Sequence, residues 1–248
     1  MNERFPRRVH TLPDPEAVAE SAAQWTQASL GAALADRGRA ALALSGGATP
    51  ARLFRRLATP PFSAWPHWPE VEVFWVDERA LPAHSAESNY RLAEVNLLSR
   101  LPDPPRRVHR LRGESVDLES EAKRYAALLD PWREDGVPRL DVLLLGMGLD
   151  GHVASLFPGS AAGGRMDAWV LPAAGPPPHT QRLTLTRPVL DAARHAAFLV
   201  TGAEKHDTLK RVLSAAEESG LPAANVRSRA MTDWFVDVAA AQALRHDA

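Results

Sequence analysis

The chain has 248 residues, which fits one large α/β domain or two small ones, and we expect a single domain over residues 1–248. Its formal net charge of −1 argues against a nucleic-acid binder that relies on bulk electrostatics. The lack of cysteine excludes disulfides and thiolate metal sites, and together with the absence of a signal peptide or a membrane-length apolar stretch it favours the cytosol.

Helical and strand-like stretches alternate along the first half of the chain. Asp14 to Leu34 is typical of an amphipathic helix, with Pro15 suited to its first turn and Gly38 beyond its end. An apolar run that ends at Leu44 predicts a short buried strand, and SGGATP leads from it into a helix through ARLFRRLA. The run VEVFWV, residues 71–76, predicts a second strand, and SNYRLAEVNLLSRL predicts a helix.

The second half continues this alternation. LESEAKRYAALL predicts a helix that ends at Pro131, and LDVLLL, residues 140–145, predicts a third strand. Later strands are predicted by RLTLT, residues 182–186, by HAAFLV, residues 195–200, and by MTDWFVDV, residues 231–238. Continuous apolar strands between helices indicate a mostly parallel sheet that is covered on both faces.

The stretch GMGLDG, residues 146–151, fits the dinucleotide-binding pattern G-x-G-x-x-G letter for letter. That pattern must open a long crossover helix, but Pro158 follows closely and leaves room for a short helix at most. Asp150 and His152 also flank the third glycine. Cofactor binding does not require these two side chains, whereas acid–base chemistry could use them. NAD binding therefore becomes the minority interpretation.

The stretch SGGATP is the better candidate for an anion site. Ser45, Gly46 and Gly47 follow a predicted strand, while Thr49 suits a helix N-cap and Pro50 the first helical turn. Glycines let backbone N–H groups converge on an anion, and a helix N-terminus adds partial positive charge. An ordinary strand-to-helix turn explains this segment about equally well. A sugar phosphate fits better than a nucleoside triphosphate, because no Lys-Ser/Thr pair follows.

Two further polar segments follow predicted strands. VDER brings Asp77 and Arg79 to the end of the second strand, and VTGAEKH places Lys205 after the strand HAAFLV. The chain has 26 arginines and three lysines, so a lysine at this position is mildly informative. Each segment alone is more typical of a solvated surface. Open α/β sheets gather their sites at the carboxyl ends of strands, so we expect these segments to converge on one crevice.

The motifs, in this order, resemble the 6-phosphogluconolactonase family, which shares its fold with glucosamine-6-phosphate deaminases. The resemblance runs from LSGGATP through VDER, SNY, GMGLDGHVASLFPG and RLTLTRPVL to VTGAEKH. It implies a single doubly wound α/β domain, modified Rossmann-like and related to the ribose-5-phosphate isomerase and coenzyme A transferase folds. It also implies hydrolysis of 6-phospho-D-glucono-1,5-lactone in the oxidative pentose phosphate pathway, without a metal or organic cofactor.

Two positions favour the lactonases over the deaminases. Deaminases typically have Asp-Glu-Tyr where this chain has DER at residues 77–79, and Asn-Glu-Pro where it has LFP at residues 156–158. The glutamate of that second motif helps to open the sugar ring, and this chain has no carboxylate there. Departures from the lactonase pattern are slight, namely Arg187 and the short loop ALPAHSAES that follows VDER.

The chemistry of a lactone, read with the resemblance, implies roles for individual residues. His152 is the expected general base, and Asp150 is expected to fix its tautomer and stabilise the imidazolium. Substrate or phosphate contacts are expected from Ser45, Gly46, Gly47, Thr49, Asp77, Arg79, Arg182 and Lys205. The expected partner is a small sugar-phosphate lactone, with no nucleic acid or membrane, bound by a monomer or small homo-oligomer. A catalytically silent sugar-phosphate sensor is the alternative, but it would not need both Asp150 and His152.

Overall fold

The computed structural model describes residues 7–214, 220–242 and 244. The strands are β1 (Arg7–Leu12), β2 (Ala40–Leu44), β3 (Val71–Trp75), β4 (Asp77–Arg79), β5 (Arg107–Val108), β6 (Arg133–Glu134), β7 (Val137–Pro138), β8 (Val142–Gly146), β9 (Val170–Ala174), β10 (Gln181–Leu185), β11 (His195–Val200) and β12 (Met231–Asp237). The α-helices are α1 (Pro15–Arg37), α2 (Ala48–Leu57), α3 (Asn89–Asn96), α4 (Leu118–Leu129), α5 (Arg187–Ala192), α6 (His206–Ser214) and α7 (Pro222–Asn225).

A seven-stranded parallel sheet forms the centre of the protein, in the order β1-β12-β11-β8-β2-β3-β5. From β2 the chain proceeds outward to β3 and β5, whereas β8, β11 and β12 extend the sheet in the opposite direction. The strand order therefore reverses between β2 and β8. Such a reversal leaves a crevice outside the carboxyl ends of the strands, where open α/β sheets bind ligands. The parallel sheet flanked by helices confirms the predicted fold class.

The central strands are covered on both faces. All five residues of β2 and the first four of β8 are buried. Their side chains join one continuous apolar cluster with residues of the flanking helices, such as Leu30 of α1 and Phe54 of α2. Strands enclosed in this way need no polar alternation, which is why they appear in the sequence as continuous apolar runs. No helix within the described ranges combines the length and the apolar character needed to cross a membrane.

Helix boundaries follow the local signals in the sequence. Asp14 caps α1, because its Oδ1 accepts a hydrogen bond from the backbone amide of Ala17 at 2.8 Å. Gly38 ends that helix in the left-handed region, with φ of 66°. The predicted helix from SNYRLAEVNLLSRL is shorter than expected, since α3 ends at Asn96 and a 3-10 turn follows at Leu98–Arg100.

One expected strand of the parallel sheet lies elsewhere. The run RLTLT falls in β10, which pairs antiparallel with β4 and β9 in a separate three-stranded sheet. An apolar run reports that a strand is buried, but it carries no information about the partner strand or its direction. The correction matters for the site, because the antiparallel register places Arg182 directly opposite Arg79.

Candidate active site

A pocket of about 220 Å³ lies at the carboxyl ends of β2 and β8, where the strand order reverses. It is lined by Ser45, Gly46, Gly47, Asp77, Arg79, Asn89, Gly146, Met147, Gly148, His152, Ala154, Arg182 and Lys205. The structure thus brings together eight of the ten residues singled out in the sequence. The other two, Asp150 and Thr49, lie next to the pocket and are described below.

The loop after β8 presents His152 to the pocket. Its Nδ1 lies 2.6 Å from Asp150 Oδ1, and its backbone amide donates to the same oxygen at 3.1 Å. With Nδ1–H donating to Asp150, Nε2 carries the lone pair that can accept a proton. Burial alone would raise the pKa of the Asp150 carboxyl, but hydrogen bonds from His152 and attraction to its ring bring that pKa below 3.8. Asp150 is therefore ionised at neutral pH and lies within hydrogen-bond distance of the imidazole.

Two glycines shape this loop for different reasons. Gly151 has φ of 82°, a conformation that glycine adopts freely and other residues adopt at a cost. Gly148 is limited by space instead, since a Cβ there would lie 2.0 Å from Nδ1 of His152 and 2.5 Å from Oδ1 of Asp150. The Asp–His pair therefore packs directly against the backbone of Gly148.

The same loop does not have the geometry of a dinucleotide site. Residues 147–186, all of them described, contain no α-helix, and a 3-10 turn at Ala161–Gly164 is the helical element that follows the loop. The amide of Gly148 donates to the carbonyl of His152 at 2.9 Å, which turns the chain back on itself. The loop thus lacks the helix N-terminus on which a pyrophosphate would rest.

Arg79 and Arg182 enter the pocket from the antiparallel sheet. Arg79 donates from Nη1 to the carbonyl of Glu87, and Arg182 donates from Nε to the carbonyl of His179 at 3.2 Å. Burial lowers the pKa of Arg182. The attraction of Asp77 opposes this shift, and repulsion from Arg79 adds to it. The pocket therefore holds two cations side by side, an arrangement that suits an anionic ligand.

Lys205 supplies the third cation of the pocket. Its Nζ donates to the carbonyl of Met147 at 2.8 Å. Burial lowers the pKa of the ammonium group, and the opposing attraction of Glu204 and Asp150 does not restore it. Over the described part of the chain, no carboxylate forms an ion pair with Lys205, Arg79 or Arg182. Partly buried cations without carboxylate partners favour the binding of an anion.

Asp77 is buried, and its carboxylate is already engaged. Oδ2 accepts a hydrogen bond from Ser155 Oγ at 2.7 Å, and Oδ1 accepts one from Asn89 Nδ2 at 3.2 Å. Ser155 belongs to the loop that carries His152, so Asp77 ties that loop to β4. Asp77 therefore lies in the wall of the pocket and holds the side chains of Ser155 and Asn89 in place.

Asn89 lines the pocket but was missed by the sequence reasoning. Its amide oxygen occupies the space beside Gly46, where a Cβ would lie 1.8 Å from it. Its backbone amide donates to Glu78 Oε1 at 2.8 Å. Burial raises the pKa of Glu78, although several hydrogen bonds to its carboxylate from the start of α3 act to lower it. The available signal was the SNY stretch, in which Ser88 caps the helix by accepting from the amide of Arg91 at 3.2 Å.

The expected N-cap role of Thr49 is wrong. Helix α2 begins at Ala48, and Gly47, with φ of 113°, occupies the capping position without any side-chain cap. Glycine permits this earlier start, and Pro50 fits in the first turn because the amides there have no intrahelical partner. Thr49 Oγ1 lies 2.8 Å from Thr201 Oγ1. It lines an adjoining pocket of about 490 Å³ that shares Gly46, Gly47 and Lys205 with the first.

Comparisons with known proteins identify relatives over almost the whole chain. The sequence model of the glucosamine-6-phosphate isomerases/6-phosphogluconolactonase family matches residues 13–234. The 6-phosphogluconolactonase of Homo sapiens is 41% identical over 215 residues, which cover 84% of this chain and 82% of the relative. That of Streptomyces coelicolor is 38% identical over 240 residues, covering 93% and 92%.

The fold also matches that of solved structures. The crystal structure of 6-phosphogluconolactonase from Thermotoga maritima superposes with a TM-score of 0.79 at 29% identity, covering 93% of this chain and 99% of that one. Both the sequence match and the superposition extend over almost the whole chain. The chain therefore belongs to the glucosamine-6-phosphate isomerase/6-phosphogluconolactonase family.

Proposed function

We propose that this protein is a 6-phosphogluconolactonase, which hydrolyses 6-phospho-D-glucono-1,5-lactone to 6-phospho-D-gluconate in the oxidative pentose phosphate pathway. One observation carries the proposal. A single pocket holds His152, with its Nδ1 2.6 Å from a carboxylate oxygen, and three cations without carboxylate partners in the described chain. That combination provides a proton acceptor next to a binding site for an anionic substrate. Relatives that are 38% and 41% identical to this chain over the aligned residues are named for the same activity.

The geometry supports His152 as the general base. Nε2 takes a proton from a water molecule while the water oxygen bonds to C1 of the lactone. The ionised carboxylate of Asp150 stabilises the imidazolium that forms. The tetrahedral intermediate then collapses, the bond between C1 and the ring oxygen breaks, and the imidazolium returns its proton to that oxygen. His152 is restored, and the product is an open-chain carboxylic acid that ionises in water.

The cations and the glycine loop provide the binding groups for the phosphate and the lactone oxygens. Arginine suits bidentate recognition of oxygen atoms, whereas lysine provides a compact point charge. Ser45 Oγ is buried in the pocket wall without a hydrogen-bond partner among the described residues. The first amides of α2, adjacent to Gly47 and Thr49, are available for the same purpose. A bound phosphate would offset the burial cost of Lys205.

The deaminase reaction of the same family fits this pocket less well. Ring opening in those enzymes uses a glutamate at the position that Phe157 occupies here. The Phe157 ring instead packs against His152, with 4.5 Å between the ring centroids. Asp77, which matches the proton-transfer carboxylate of the deaminases, has both oxygens hydrogen bonded to neighbouring side chains. The site therefore retains a base that can activate water, but it lacks the carboxylate that opens the sugar ring in the deaminases.

The test is acid release from freshly prepared 6-phosphogluconolactone, followed in a pH-stat with and without the protein. We expect release well above the spontaneous rate, which must be subtracted because the lactone also opens by itself. Glucosamine 6-phosphate serves as the competing substrate, with ammonia as the product to be measured. Ammonia release with no acceleration of lactone opening would assign the protein to the deaminases and refute the proposal.

A further inference from the structure

An ion pair joins two loops beside the pocket, and the proposed mechanism does not use it. One loop, residues 80–88, connects β4 to α3, and the other, residues 175–180, connects β9 to β10. His179 Nε2 lies 2.7 Å from Glu87 Oε1, and the side chains are 17% and 59% exposed. Interaction with His179 lowers the pKa of the Glu87 carboxyl.

The backbones of these two residues each hold one arginine of the pocket. The carbonyl of Glu87 accepts from Nη1 of Arg79, and the carbonyl of His179 accepts from Nε of Arg182 at 3.2 Å. The two arginines face each other across β4 and β10. A closed ring of contacts therefore runs from Arg79 through Glu87 and His179 to Arg182, and back across the strand pair.

The ring matters because the two guanidinium groups have little else to orient them. Like charges on neighbouring strands repel each other, and no carboxylate in the described chain forms an ion pair with either arginine. The Arg182 guanidinium lies over the Phe157 ring, 5.4 Å from its centroid. Stacking of this kind does not fix how the guanidinium is rotated about the axis perpendicular to the ring. The loop carbonyls thus set the direction of both side chains. The positions of these carbonyls depend in turn on how firmly the two loops are held against each other.

We propose that the Glu87–His179 ion pair is a positioning device that locks the two loops together and so orients Arg79 and Arg182 toward the oxygens of a phosphorylated sugar lactone. The identity of that ligand rests on the proposed function. Because the pair acts through the arginines, it governs substrate affinity and leaves the proton transfer at His152 unchanged.

The test compares the variants Glu87→Ala, His179→Ala and their combination with the wild-type protein. We expect KM for 6-phosphogluconolactone and the calorimetric Kd for 6-phosphogluconate to rise together, by about threefold, as suits a partly exposed pair. The value of kcat and the melting temperature should stay unchanged. The double variant should match the singles, because each removes the same contact. Glu87→Gln keeps an acceptor for His179 and should recover part of the affinity.

A matched control lies just before the amino end of β3, whereas the pocket lies at the carboxyl ends of the strands. His67 and Glu70 form a similar pair there, at 2.8 Å between half-exposed side chains. Glu70→Ala should therefore leave KM, Kd and kcat as they are. Unchanged KM and Kd in the loop variants, a parallel fall of kcat and melting temperature, or an equal effect of Glu70→Ala would each overturn the proposal.

The two proposals fail in different ways. Wild-type protein that binds 6-phosphogluconate but does not accelerate lactone opening would remove the proposed function, and the Kd values would still decide the role of the ion pair. Wild-type protein that neither binds the product nor opens the lactone would overturn both. Normal wild-type catalysis with unaffected loop variants would remove the positioning role alone.

Discussion

The loops that follow β2 and β8 face the same pocket from neighbouring strands, and both are rich in glycine, but they offer different chemical groups. The loop after β2, residues 45–47, runs straight into α2 and has no titratable side chain. The loop after β8, residues 147–152, leads to no α-helix and presents Asp150 and His152.

The use of the backbone amides explains this difference. After β8 the amides of Gly148 and Gly151 donate to carbonyls of the same loop, at 2.9 Å to His152 and 3.1 Å to Gly148. Those donors are occupied, so the loop offers side chains to the pocket. After β2 the first amides of α2 have no side-chain cap and remain available to a ligand. A glycine pattern therefore reveals a turn, while the element that follows the turn decides whether backbone amides or side chains face the pocket.

The largest effect should come from the loop after β8. His152→Ala should lower kcat by about a thousandfold, within the usual contribution of a positioned general base. The melting temperature and the Kd for 6-phosphogluconate should stay near wild type, because the cations are untouched. Asp150→Asn should lower kcat less than the loss of the imidazole does. Near-normal turnover by folded His152→Ala protein would remove His152 from the mechanism and erase the contrast between the loops.

A smaller effect should distinguish the glycines of the two loops. Gly148→Ala should lower kcat by up to about a hundredfold, since its Cβ would displace the His152 ring and small misplacements are costly. Gly46→Ala should mainly raise KM, because its Cβ would displace Asn89 from the pocket wall. Gly164→Ala is the control, as its Cβ would meet nothing within 4 Å. Equal losses of kcat, product affinity and melting temperature in both variants would show that these glycines serve folding alone.

The smallest effect should come from Lys205, which lines both the main pocket and the adjoining one. Lys205→Ala should weaken 6-phosphogluconate binding by more than about tenfold, the value of a charged hydrogen bond, and affect unphosphorylated gluconolactone less. Because burial lowers the pKa of Lys205 below its ordinary 10.5, wild-type affinity should fall as the pH rises through that lowered value. Lys205→Arg should remove this alkaline loss, and Lys123→Ala, on an exposed face of α4, should change neither property. An equal loss for 6-phosphogluconate and for gluconolactone would place Lys205 at the reaction centre instead of the phosphate.

Much of this protein can be predicted from short stretches of its sequence. The apolar runs that end at Leu44 and Val200 coincide with β2 and β11, because strands buried on both faces need apolar residues throughout. Asp14 and Gly38 define α1, since N-caps and left-handed C-caps depend on neighbouring residues only. The proximity of Asp150 and His152 is of the same kind, because two positions in one glycine turn cannot be far apart.

The rest depends on contacts between distant parts of the chain. Arg79 and Arg182 become neighbours only because β4 and β10 pair in a small antiparallel sheet, and hydrophobicity encodes the burial of a strand but not the identity of its partner. Asn89 reaches the pocket only because Gly46, on another loop, leaves space for its amide. The sequence by itself therefore determined five of the seven strands of the central sheet, helices such as α1, and the Asp150–His152 pair. Tertiary packing decided where the cations point and which polar groups support them, because those positions follow from long-range pairing and steric fit.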